Sequence, residues 1–194
     1  MNSILYDRRT AYISVLLMVL VSIFILGGNS LRTERQRIVD VFRGQNELGI
    51  DTQQEAIIIL QNAANLLVVA DRYLDGNEQA ENIRALLNNT SVPINHLTYW
   101  DHVNWEVQFA TADRIMPHVR ALLLTMDTTL VTDVDRGHLT EADGNIRAAL
   151  RRISLSGANA QAQAFNNISR NPYTAIIATV RGVSKLPVAA YIVE

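Results

Sequence analysis

With 194 residues and a formal net charge of -2, the chain is long enough for one domain with its own core once an N-terminal segment is set aside. Its 17 basic and 19 acidic residues leave no positive excess to grip nucleic-acid phosphates and no acidic block to act as a solvating tail. Cysteine is absent, which excludes disulfides, thiolate metal sites, cysteine nucleophiles and lipidation at a cysteine.

The first element is apolar. Residues 11–30, AYISVLLMVLVSIFILGGNS, carry no charge. As a helix, Ala11 to Gly28 would span roughly 27 Å, close to the hydrocarbon thickness of a bilayer. Gly28-Asn29-Ser30 resembles a weak signal-peptidase site, but a secretory signal has a shorter apolar core. The length of the run, Tyr12 at interfacial depth and the immediate return of helical pattern at Leu31 favour an anchor that is retained. The expected division is an anchor over residues 1–30 and a helical-bundle domain over residues 31–194. The lipid bilayer is the partner of residues 11–28. Arg8-Arg9 precede the run without a twin-arginine export pattern. Arg32, Arg35, Arg37 and Arg43 follow it, so the charge count tilts the domain weakly towards the cytoplasm and leaves its side open. The ordinary reading of Arg32, Arg35 and Arg37 is a solvated helix face near lipid headgroups.

Leu31 to Phe42 is helical in pattern, with Leu31, Ile38, Val41 and Phe42 apolar among charges. After the loop GQNELGI, Asp51 and a Thr-x-x-Glu pair announce a helix running to about Leu74. Ile59, Ala63, Leu66, Ala70 and Tyr73 form its stripe, and Ile57, Ile58, Leu67, Val68 and Val69 widen the apolar face, so it needs cover on more than one side. Asp75-Gly76-Asn77 reads as a turn before a shorter helix through Ala85 and Leu87, stopped at Asn88, Asn89 and Ser91-Val92-Pro93.

Trp105, Phe109, Ala112, Met116, Val119, Leu123, Met126 and Leu130 alternate in steps of four and three, the seam of a bundle or coiled coil. Pro117 falls inside without shifting the phase, which predicts a kinked continuous helix, with two collinear helices as the alternative. Thr132 to Gly144 reads as a polar link. A last long helix is expected over Ile146, Ala149, Ile153, Gly157, Ala160, Ala164 and Ile168, ended by Pro172, with a short apolar helix over Tyr173 to Val180. No strand alternation appears. The fold class is all-α: an N-terminal transmembrane helix, then an antiparallel bundle of about four long helices, one of them continuous with the anchor in one version.

Chemistry is thinly signalled. His96 and His102 lack the spacing of a zinc pair, and His118 and His138 stand alone. Asp133-Val134-Asp135 opens like a calcium loop, but the fifth position carries no carboxylate and the twelfth is Gly144. Asp127, Asp133, Asp135, Glu141 and Asp143 form an acidic cluster that would suit a basic partner, against the plainer reading of a solvated helix end. Tyr99, Trp100 and Trp105 suggest an aromatic site, although Trp105 belongs to the seam. Ser154 and Ser156 lack a nucleophile-elbow context, and Gly27-Gly28 is followed by no phosphate-loop lysine. No catalytic, cofactor-binding or metal-ligating residue is assigned.

The apolar N terminus, the cysteine-free helical pattern and a particular C-terminal helix end resemble the LemA family of bacterial membrane proteins. The residues carrying the resemblance are Phe165-Asn166, then Asn171-Pro172, Ala178 and Gly182, with Ala63 to Val68 in the first bundle helix. Asn171 stands where the family has an aromatic, and the spacing is slightly short. The resemblance implies a single-pass helical membrane protein with no established catalytic residues.

Three functions compete. The first is a non-enzymatic module presenting an interaction surface at the cell envelope to a protein partner or a second copy of itself. The alternative is a membrane-tethered sensor binding a small ligand within the bundle, in a cavity among Trp105, Phe109 and Tyr73, and signalling through Leu31 to Phe42. An enzyme is the third, disfavoured for want of acid-base groups at useful spacing.

Overall fold

A computed structural model describes residues 8–88 and 105–191. Asn89, Ser91, Val92, Pro93, His96, Tyr99, Trp100 and His102 lie outside them, as do the side chains of Arg8 and Arg9. Among the described residues the chain is all-helical: α1 Arg8–Phe42, α2 Thr52–Tyr73, α3 Glu78–Asn88, α4 Trp105–Asp127, α5 Asp133–Leu155, α6 Ala158–Ile168 and α7 Pro172–Val180. The described residues form no strand, only an isolated antiparallel bridge between Arg43 and Asp51. The chain divides into two compact units, residues 1–38 with 163–186 and residues 39–162 with 187–194.

The larger unit is organised around α2. Asp51 caps it, its carboxylate accepting from Gln54 N at 3.0 Å. The cap is therefore Asp51, while Thr52 is buried and its hydroxyl lies 3.4 Å from Ser156 Oγ. The broad apolar face finds the cover it needs, for α2 packs on α3, α4 and α5, and α3 packs on α4. Ile59, Leu60, Ala63 and Ala70 are fully buried.

A single antiparallel register joins α2 to α5. Glu55 in the first turn of α2 receives a two-pronged bond from Arg152 in the last turn of α5, at 2.6 and 2.8 Å. At the other end Arg72 meets Asp135 at 2.7 Å. Glu55 to Arg72 is seventeen residues forward and Arg152 to Asp135 seventeen back; Asn62 and Asn145, 3.3 Å apart, lie seven in from the same end on both. Each carboxylate sits at a helix N-terminus and each guanidinium near a C-terminus, so every charge also complements its own helix dipole.

α4 runs unbroken through Pro117, as the constant phase of its seam predicts. Trp105, Phe109, Ala112, Met116, Val119 and Met126 are buried, and Phe42 packs on Trp105 and edge-on to Phe109, with ring centroids at 5.0 and 5.2 Å. The seam stops early: the helix ends at Asp127, and Leu130 is 95 % exposed. Two further expectations are corrected. Thr132 to Gly144 is no link, because Thr132 caps α5, its hydroxyl accepting from Asp135 N, and the helix starts at Asp133. The last long helix is also two, since Gly157, with φ of 69°, takes the left-handed conformation that ends α5.

Residues 187–191 lie outside the helices and are held by side chains. Asp113 accepts from the Ala190 and Tyr191 amides at 3.0 and 2.7 Å, and Asn159 exchanges two bonds with the backbone of Ala189.

In the smaller unit, α7 is the short apolar helix expected over Tyr173 to Val180, and it starts at the proline that was expected to end the helix before it. Asn171 caps it by accepting from Tyr173 N, and Pro172 occupies the first turn, where a missing N–H is harmless. Asn166 accepts from Leu186 N at 3.0 Å and donates to Leu186 O at 2.8 Å.

Candidate functional site

Three features stand out. The first is the apolar part of α1. The large apolar residues from Tyr12 to Leu26, Phe24 apart, are 46–74 % exposed. An 18-residue window here reaches a mean hydropathy of 2.5 with only 6 % of it buried, so this helix is long and apolar enough to cross a membrane and is not packed as a core helix. Just beyond it, α7 docks on α1. A Cβ on Gly27 would lie 3.3 Å from Ile177, and the Arg181 side chain is laid over Gly28, its Nε 2.6 Å from where a Cβ would be. Arg181 donates to Asn29 Oδ1 at 2.5 Å, Arg32 to Arg181 O at 2.6 Å and Arg35 to Ser184 O at 3.1 Å. Arg32 and Arg35 thus do more than face solvent, whereas Arg37 pairs with Glu34 on the exposed face. The first two tie α1 to the segment that follows α7.

The second is a groove of about 740 Å³ between α4 and α5. It arises because both helices pack on α2 and scarcely on each other. Buried Met116, Val119, Met126, Leu139 and Ile146 line it, with Leu123 half-buried. Leu124, 72 % exposed, stands among the charged lining residues Arg120, Asp127, Arg136, Asp143 and Arg147. Arg147 pairs with Asp143 at 2.8 Å, and Arg120 donates to Tyr191 O at 3.2 Å.

The third is the polar node at Asp135, which is buried although its sequence neighbours are exposed. Tyr73 Oη donates to it at 2.5 Å and Thr132 Oγ1 at 2.9 Å. These bonds, Tyr73 first, hold its carboxyl below the usual aspartate range; burial opposes them, and the charges of Arg72 and His138 assist. Beside it, a polar groove of about 390 Å³ is lined by Asn62, Asn65, Arg72, His138 and Asn145 among others.

The structure separates several residues that the sequence grouped. The acidic cluster does not act as one: Asp135 is consumed at the α2–α5 interface, Asp143 pairs with Arg147, and Asp127 lines the groove. Asp133 and Asp135 belong to a helical first turn, so no calcium loop forms there. Trp105 and Phe109 pack on Phe42, while Tyr73 turns to Asp135 and Thr132, so the three aromatics line no shared cavity in either groove. His118 Nδ1 lies 2.8 Å from Gln79 Oε1. Ser154 and Ser156 bond to backbone carbonyls of Arg151 and Ile153. Among the described residues no three His, Asp or Glu gather as a metal site.

Among the described residues the geometry defines an all-helical fold with one N-terminal helix long and apolar enough to cross a bilayer and an apolar surface groove. Comparison with protein-family models, curated proteins and solved structures gave no match.

Proposed function

We propose that the protein is a non-enzymatic, single-pass membrane protein of the bacterial cell envelope, anchored through residues 11–28, whose helical domain offers the α4–α5 groove to an apolar helix of a protein partner or of a second copy of the chain. The observation that carries this reading is the pairing of an exposed, unbroken apolar helix with an open groove whose buried lining is wholly aliphatic or thioether. Apolar surface of that size on a chain otherwise well packed marks an interaction site. A helix laid in the groove would bury Leu123 and Leu124 and complete an antiparallel bundle with α2, α4 and α5.

Kinship with the LemA family is part of the same proposal. It is supported by the structural roles of the residues that carry the resemblance: Phe165 is buried, Asn166 clasps Leu186, and Asn171 with Pro172 starts α7. A second reading, a small-ligand sensor, draws on the 390 Å³ polar groove, which falls within the range of about 300–1,000 Å³ usual for ligand pockets.

A photoreactive residue at Leu124, activated in native membranes, tests the leading reading. The expected adduct maps to an apolar helical peptide and disappears when Leu123 is changed to Asp. Adducts to solvent and lipid alone would refute it.

A further inference from the structure

α7 carries an apolar face that is left exposed among the described residues. Tyr173, Ile176 and Val180 are 81, 55 and 66 % exposed. At about 100° per residue they fall within roughly 60° of one another, so they form one stripe. Ile177, which touches Gly27, lies beside that stripe, and the buried Ala178 lies further round. The stripe therefore borders the contact with α1 instead of lying opposite it.

The contact fixes the depth of α7 along α1. Gly27 is sixteen residues beyond Ala11, roughly 24 Å along a helix, near the far edge of a hydrocarbon layer that Ala11 has entered. The next turns of α1 and the segments flanking α7 are basic: Arg32, Arg35, Arg37, Arg170, Arg181 and Lys185, against Glu34 alone among residues 27–38 and 163–186. Glu34 is already engaged by Arg37 at 2.7 Å. Arg32 and Arg35 donate to the backbone carbonyls of Arg181 and Ser184, which gathers guanidinium groups beside the C-terminal end of α7. An exposed apolar stripe with a tyrosine, at the exit of an apolar span and on a mainly basic stretch of chain, suits the boundary between acyl chains and anionic headgroups.

We propose that α7 is a second membrane-contacting element: an interfacial helix, clamped to the exit of the anchor, whose Tyr173, Ile176 and Val180 seat in the surface of an anionic leaflet. This rests on the reading of residues 11–28 as a bilayer anchor. Its role is to fix the orientation of the polypeptide leaving the bilayer, because one span alone leaves rotation about its axis free.

The absence of cysteine makes the test direct. The full chain is reconstituted in vesicles of phosphatidylcholine and phosphatidylserine with an environment-sensitive fluorophore on L20C, I176C, V180C or G137C, the last an exposed position on α5 with open space around it. Quenching by aqueous iodide is compared with quenching by lipids nitroxide-labelled near the headgroup or deep in the acyl chain. The expected result is deep-lipid quenching at L20C, shallow-lipid quenching with loss of iodide access at I176C and V180C, and iodide quenching alone at G137C. Iodide access at I176C and V180C equal to that at G137C, with L20C still lipid-quenched, would overturn the α7 proposal and leave the anchor standing. Iodide access at L20C would overturn both. Protection of I176C and V180C from iodide and lipid alike would mean that protein covers the stripe, which also refutes the proposal.

Discussion

The first half of α1 and the whole of α2 are both rich in leucine, isoleucine and valine, yet most of their apolar residues meet opposite fates. In α2, Ile59, Leu60 and Leu66 are at most 1 % exposed; in α1, Leu16, Leu17 and Leu20 are 47–61 % exposed. What separates them is the polar remainder. α2 intersperses Glu55, Gln61, Asn62, Asn65 and Arg72, and Glu55, Asn62 and Arg72 become the contacts that set its register against α5. The run from Ala11 to Gly28 has no charge with which to choose a protein neighbour. An apolar helix that lacks such markers around its whole circumference is matched to a solvent instead of a partner, and in the function proposed above that solvent is hydrocarbon.

Charging α1 breaks the comparison most severely. The double substitution L17R/L20R places two arginines at mid-span, at about 2.5–3.5 kcal/mol each on the insertion scale. Flotation of membranes on a density gradient should find the wild type with lipid and the variant largely in the soluble or aggregated fraction. The same leucine truncation sharpens the contrast. L66A should lower unfolding stability of the detergent-solubilised chain by about 2–5 kcal/mol through an unfilled cavity. L20A, at an exposed site, should stay within about 0.5 kcal/mol of the wild type. Chemical denaturation followed by circular dichroism checks both.

Smaller effects fall on the polar contacts between α2 and α5. E55Q keeps the shape of the side chain but removes the charge facing Arg152, which is itself 43 % exposed; a loss of about 1 kcal/mol is expected from the same denaturation curves. D135N acts through pH. A carboxyl held below its ordinary value of 3.8 contributes stability that is complete above that value and is lost as pH falls through the folded-state value. Thermal melts should therefore show the wild type above D135N at pH 6 and the two converging towards pH 3.

Much of the fold is legible where pattern and cap agree. Asp51 before an apolar stripe fixes the start of α2, and the unbroken phase across Pro117 predicts that α4 continues through it. Reading fails where burial depends on a distant partner. Residues 133–144 include two glycines and five charges and look like a loop, but Asp135 is buried because Arg72 and Tyr73 stand opposite. The local signal was present in Thr132-x-x-Asp135, a capping pair of the kind already used at α2. Gly157 fits a stripe of small residues by its spacing, although Ser156-Gly157 is also how a helix ends. Leu130 shows the converse error: periodicity continued beyond the end of the helix that would have used it. The α4–α5 groove was invisible to sequence, since it depends on two helices straddling a third.

Backbone hydrogen exchange on the full chain in lipid nanodiscs gives the most direct test of the bilayer assignment for the N-terminal helix. The account predicts that amides of residues 13–25 exchange as slowly as those at the centre of α2, despite side chains that touch almost no protein, because acyl chains keep water from them. Exchange of residues 13–25 at the rate of the exposed first turns of α5, in the same sample, would contradict it.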